Sequence, residues 1–166
     1  MVFPQVLICT NAPNTELALT NSVHVHPTDA RTPYVNISNF VYRAVPHPDV
    51  EKGHVALNAI QRRMAKTFPG NSVEVWEFLM PISRDFSIAA VTIEAQFVKP
   101  ASARVTDLTS LANSVRSALL TDVLTFGQSI VIEYMDANIL LWVKSNVRGL
   151  VTAQTEIGIE WRDDNV

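Results

Sequence analysis

Only one stretch of this 166-residue sequence, TDLTSLANSVRSALL (106–120), holds an apolar stripe at helical spacing. Leu108, Leu111, Ala112, Val115 and Leu119 fall on one face at the 3.6-residue period. Thr106 or Asp107 can cap the N-terminus, and the spacing predicts a helix over about 106–121. Elsewhere the apolar residues come in short runs cut by proline, glycine or asparagine. A chain with one substantial helix must bury most of its apolar side chains between strands, so the expected class is mainly β with a smaller α/β part.

The strand runs can be read in order. VLICT is apolar throughout. NSVHVHP alternates, with Val23 and Val25 on the inner face and His24 and His26 facing solvent. YVNIS and FVYRAV meet at a Ser38–Asn39 corner, and HVALN follows a loop punctuated by Pro46, Pro48 and Gly53. AIQRRMAK is long enough for one or two helical turns only. SVEVWEF follows the Pro69-Gly70-Asn71 turn signal. LMPISRD changes the character of the chain, which sets expected domains of 1–83 and 84–166. FSIAAVTIEAQFV reads as a long strand ended by Pro100. SIVIEYM and NILLWVKSNV read as a hairpin turning at Asp136-Ala137, and EIGIEW as a last strand. The expected core of the second half is Val91, Ile93, Phe97, Leu111, Val115, Leu119, Ile130, Ile132, Leu141 and Val143.

Composition narrows the function classes. The apolar share is 48% and the charged share 17%, a core-forming balance. The net charge of −3 opposes general nucleic-acid binding, which needs a positive field. Cys9 is the single cysteine, so no intrachain disulfide or cysteine-rich zinc site can form, which suits a reducing, cytoplasmic setting. The first residues, MVFPQVLICTN, lack the basic region of a signal peptide, and no run approaches the ~20 apolar residues of a membrane span.

Catalytic signatures are missing from the sequence. There is no phosphate-binding G-x-x-x-x-G-K-[ST], and none of the five glycines forms a nucleophile elbow. His24 and His26 with His47 or His54 offer too few convergent ligands for a metal, and Glu74 and Glu77 fall on opposite strand faces. Asp163-Asp164 reads as a solvated tail. The expectation is a domain without a catalytic site, metal or cofactor of its own.

Several strings, taken together, resemble one family. TELALTNSVHVHPTD, GHVALNAIQRRMAKTFPGNSVEV, AAVTIEAQFVKP, FGQSIVIEYMDANILLWVK and GLVTAQTEIGIEW occur in the order found in the amino-terminal domain of the N-ethylmaleimide-sensitive factor family, the hexameric ATPases that disassemble SNARE complexes. The resemblance covers nearly the whole chain. It implies a double-psi β-barrel followed by a small α/β roll, with a groove between them. It also implies a partner, the SNAP adaptor on SNARE complexes, and a role in vesicle transport. ATP and Mg would belong to ATPase modules outside this sequence, and hexamer formation to those modules, leaving this piece monomeric. The valosin-containing protein family shares the two-part plan, so a ubiquitin-adaptor platform is the alternative. A third reading, a self-processing barrel enzyme, needs a Gly-Ser dipeptide that the sequence lacks.

Arg62, Arg63 and Lys66 form a basic cluster in an acidic chain. Read alone, such a cluster is a solvated turn. The resemblance implies instead that Gln61, Arg62 and Arg63 belong to a groove that grips the acidic SNAP surface, a task that suits the planar guanidinium. It adds Lys99 from a second basic patch. The patch is reduced here: Lys99 is followed by Pro100 and Ala101, Asn11 takes a third basic position, and Met64 replaces the family's Trp. Arg84 and Arg104 are the candidates to compensate.

Overall fold

The computed structural model describes residues 3–99 and 107–162. The chain divides into two compact units, Met1–Pro81 and Ile82–Val166. The fold is mainly β, a closed barrel of double-psi type plus a small α/β unit.

In the first unit six strands close on themselves: β1 (Gln5–Asn11), β2 (Val23–Val25), β3 (Tyr34–Ile37), β4 (Phe40–Pro46), β5 (His54–Leu57) and β6 (Ser72–Glu77). Around the barrel the order is β1-β5-β2-β4-β3-β6, and β6 returns to β1. Two neighbours run parallel, β1 with β5 and β2 with β4, which is the interlocked pairing of the double-psi type. Alternation sends Leu7, Cys9, Val35, Ile37, Val73 and Val75 inward to the core with Val23, Val25, Val55 and Leu57. The β3–β4 hairpin turns on Ser38 and Asn39 at φ 54° and 73°, so Ile37 pairs directly with Phe40. Two left-handed residues match the twist of a two-residue hairpin. A short helix α1 (Thr15–Ala18), capped by Asn14 accepting from the Leu17 amide at 2.8 Å, was not foreseen, because four residues show no period.

One expectation fails in the barrel. His24 does not face solvent: it is 3% exposed. β2 lies between β4 and β5 and is covered on both faces, with the His47 ring packed edge-on 6.1 Å away. His26 is half-buried and its Nδ1 accepts from the Thr28 amide at 3.1 Å, capping a 3₁₀ turn. Burial, reinforced by His47, lowers the His24 pKa. The folded pKa lies below the unfolded value, so the unfolded chain takes up this proton first. Stability is therefore full above about pH 6.5 and falls as pH drops, by up to ~1.4 kcal/mol per pH unit, until folded His24 also protonates. Denaturant midpoints measured from pH 7.5 down to about 5.5 should show this slope, and His24→Gln should flatten it. An equal slope in the variant would assign the effect elsewhere.

In the second unit the strands β7 (Ala90–Phe97), β9 (Ser129–Tyr134), β10 (Ala137–Val143) and β12 (Glu156–Trp161) form a sheet in the order β12-β7-β10-β9. Only β12 and β7 are parallel within it. Helix α3 (Leu108–Leu119) buries Leu111, Val115 and Leu119 completely. Asp107 caps it, accepting from the Thr109 and Ser110 amides at 3.0 and 3.1 Å, while Thr106 and Arg104 lie outside the described residues, as do Pro100 and the Asp163-Asp164 tail.

Nine of the ten expected core residues are buried. Phe97, at the strand end, is half-buried and packs edge-on against Trp161 with ring centroids 4.9 Å apart. The hairpin turn is Met135–Asp136, at φ 48° and 65°, one residue earlier than expected. This register keeps Ile130 opposite Leu141 and Ile132 opposite Ile139 on the core side, and a one-residue slip would turn both pairs outward. β7 starts at Ala90 rather than Phe86, because Ser87 bridges instead to Leu150 in a small ladder of β8 (Val123–Thr125) and β11 (Arg148–Leu150). Gly149 of that ladder has no room for a side chain: a Cβ there would stand 2.5 Å from the Phe86 carbonyl oxygen.

Candidate functional site

The basic cluster belongs to helix α2 (Ala59–Ala65), and its start explains its position. Asn58 Oδ1 accepts from the Gln61 amide at 2.8 Å, and Gln61 Oε1 accepts from the Asn58 amide at 2.9 Å. This reciprocal capping box satisfies two helix-end donors at once. The remaining amide hydrogens reach sideways, Asn58 Nδ2 to the Thr20 carbonyl at 3.2 Å and Gln61 Nε2 to the Ser22 carbonyl at 3.0 Å. Both side chains are thus spent on pinning α2 to the segment before β2. Gln61 is 3% exposed, so almost none of its side chain is open to a partner.

Two turns later the helix stops. Lys66 adopts the left-handed conformation (φ 52°, ψ 45°), and the Lys66 and Thr67 amides close onto the Arg63 and Arg62 carbonyls at 3.2 and 3.0 Å. Arg62 and Arg63 lie in the last turn, where cations complement the helix dipole. The three cations are not equivalent. Arg62 is half-buried, and its Nη1 donates to the Leu57 carbonyl at 2.6 Å, so part of its fork is already used. Its charge is also felt by Cys9, whose thiol pKa is pushed up by burial and pulled back in part by Arg62. Arg63 and Lys66 are exposed. Among the described residues no carboxylate forms an ion pair with any of the three.

Arg62, Arg63 and Lys66 line one concavity of about 440 Å³ together with Ala59, Thr67 and Phe68. Phe68 was missed in the sequence. It is 71% exposed, and the available signal was an aromatic residue directly before a Pro-Gly turn, where polar residues are usual. Lys66 and Thr67 also border a larger, polar concavity of about 760 Å³ that includes Asn36, Asn39, Asn71 and Trp76. Lys99 is exposed just past β7, in the other unit. The site on α2 can hold an anion beside an apolar ring. Among the described residues no group of three or more His, Cys, Asp or Glu side chains could hold a metal ion.

No protein-family model matches the chain. Among curated proteins it is similar to a vesicle-fusing ATPase of Arabidopsis thaliana, with 32% identity over 151 residues. The match covers 84% of this chain and 20% of that protein, so the chain spans about a fifth of the length of its relative.

Proposed function

Since the chain carries the N-terminal domain of the N-ethylmaleimide-sensitive factor family, we propose that it serves as the adaptor-recognition domain of a SNARE-disassembling ATPase. On this reading it binds the acidic surface of a SNAP adaptor on SNARE complexes through Arg62, Arg63 and Lys66, with Lys99 assisting. The observation that carries the reading is the similarity to a vesicle-fusing ATPase along most of the chain. Three cations gathered at one helix end, without carboxylate partners among the described residues, support it. Arg63 forms the core of the contact, because its guanidinium is exposed and can take a carboxylate with both prongs of its fork. Arg62 can offer only what its bond to Leu57 leaves. No observation favours the ubiquitin-adaptor alternative. Nucleotide hydrolysis, ATP and Mg belong on this reading to other modules of such a protein, and the work is done in the cytosol. No helix among the described residues is long and apolar enough to cross a membrane.

The test is binding of the 166-residue chain to a SNAP–SNARE complex as salt is raised. Charged contacts at an interface rim set orientation and salt sensitivity. Affinity should fall at least about tenfold between ~0.01 M and ~1 M salt, as the Debye length contracts from ~30 to ~3 Å. No binding at low salt would refute the proposal, and salt-independent binding would remove the cations from the interface.

A further inference from the structure

The four-stranded sheet ends on β12, and the outer edge of β12 is unpaired by any described residue. The Glu156 amide donates to the Ala89 carbonyl at 2.9 Å and the Arg162 amide to the Ala95 carbonyl at 2.9 Å. In a parallel ladder alternate residues share that direction. Gly158 and Glu160 therefore also face β7, and the backbone N–H and C=O of Ile157 and Ile159 point away from the sheet. Proteins normally guard such an edge with charged side chains, a proline, a bulge or a covering segment, and the charges here, Glu156 and Glu160, stand on one face of β12 only. β12 has no proline, and its pairing with β7 runs without a bulge from Glu156 to Trp161.

The two faces of this edge differ in chemistry. On the inner side, the half-buried Ile157 and Ile159 form a concavity of about 430 Å³ with Leu108, Ala112 and the polar Thr109, Asn113 and Arg116 of α3, and Glu156 borders it at the start of the strand. On the outer side stand Glu156, Gly158 and Glu160, all exposed. Lys144 Nζ already donates to Glu160 at 2.5 Å, whereas Glu156 has no ion pair among the described residues. Gly158 needs explaining. Its φ is not left-handed, and a Cβ there would meet only Thr92 Oγ1 and the Val91 carbonyl oxygen at 3.8 Å, an ordinary contact. A glycine inside a strand weakens it, and one without a bulge or bend suits a close approach by a ligand or another backbone.

We propose that the β12 edge docks an extended peptide of the pattern aliphatic–basic–aliphatic, which joins the sheet as a fifth, antiparallel strand. The peptide residues opposite Ile157 and Ile159 exchange backbone hydrogen bonds with them and send aliphatic side chains into the α3 concavity. The residue opposite Gly158 points to the outer face. There the missing side chain leaves a slot for a Lys or Arg stem, whose charged head reaches Glu156. Backbone pairing supplies affinity, and the two faces supply selectivity.

The test uses a fluorescent synthetic peptide, TSVKVST, titrated into the 166-residue chain. Amide NMR should show saturable shifts at Ile157, Ile159 and the start of α3. TSVEVST and a version N-methylated at both valines should bind at least about tenfold more weakly, equivalent to ~1.4 kcal/mol. Gly158→Thr fills the slot with a strand-favouring residue, so it should keep the melting temperature and lose at least about tenfold in peptide affinity. Absence of binding at millimolar peptide overturns the proposal, as does equal binding of the N-methylated peptide. Dimerisation of the chain through β12 that the peptide does not displace also overturns it, making a second copy the occupant.

Discussion

Val115→Asp should unfold the second unit. Val115 is fully buried at the middle of the α3 stripe, between Leu111 and Leu119, in a cluster with Ile93, Leu124 and Leu141. No cation in that cluster can pair with a carboxylate. The nearby Arg116 is engaged at the surface with Asn113 Oδ1 at 2.5 Å and the Thr155 carbonyl at 3.4 Å. Losing the apolar side chain forfeits ~1.5–3 kcal/mol. An unsatisfied buried polar group adds ~1–3 kcal/mol even when the carboxyl protonates. The sum, ~2.5–6 kcal/mol, reaches the lower end of the ~5–15 kcal/mol stability of ordinary domains, where a unit this small belongs. Trp142 and Trp161 lie in this unit and Trp76 in the first, so fluorescence can follow the units separately once single-tryptophan variants are made. Val115→Ala, which adds no polar group, should lose only about 1–3 kcal/mol. A Val115→Asp chain that kept its melting temperature would mean that the stripe does not face the sheet.

Arg63→Glu with Lys66→Glu should leave the fold intact and cost about 2–5 kcal/mol in binding to a SNAP–SNARE complex. Both side chains are exposed, so each change should move stability by no more than ~0.5 kcal/mol. Binding loses two charge-assisted contacts and gains like-charge repulsion. Arg62→Ala should behave differently, losing ~1 kcal/mol of stability because the Leu57 carbonyl loses its 2.6 Å donor. Lys99→Glu should have the smallest effect on binding. Unchanged affinity of the folded double variant at low salt would return the cluster to a solvated helix end.

Much of the fold was legible wherever a local rule and the tertiary packing agreed. Val73 and Val75, and Val91 with Ile93, alternate because one strand face is buried and the other wet. The α3 stripe kept its period because one helix face meets the sheet. The misreadings lie where context overrode the pattern. His24 occupies a polar position in an alternating run, yet the barrel closes over that face as well. The hairpin turn moved from Asp136-Ala137 to Met135-Asp136 because core register outranked turn chemistry. β8 and β11 have three residues each, too few to show any period. At the candidate site the cluster on α2 could be read as a string, but the division of labour within it could not. Gln61 looks as polar and available as Arg62 until the capping box and the Ser22 carbonyl claim it.

The closed barrel also sets the order in which the first unit can form. Leu7 pairs with Val73 across more than sixty residues, and β1 has no partner before β5 is made. Closing so long a loop precedes any gain from the pairing, which slows such topologies. At ~5–20 residues per second of synthesis, QVLICTN must wait several seconds on the ribosome before its flanking strands exist. During that interval Val6, Leu7 and Ile8 form an apolar, β-prone segment with open edges. The second unit runs no such risk at β9–β10, whose two-residue turn lets the strands pair as soon as they emerge. Newly made chains should therefore depend on chaperone protection mainly until β6 is complete.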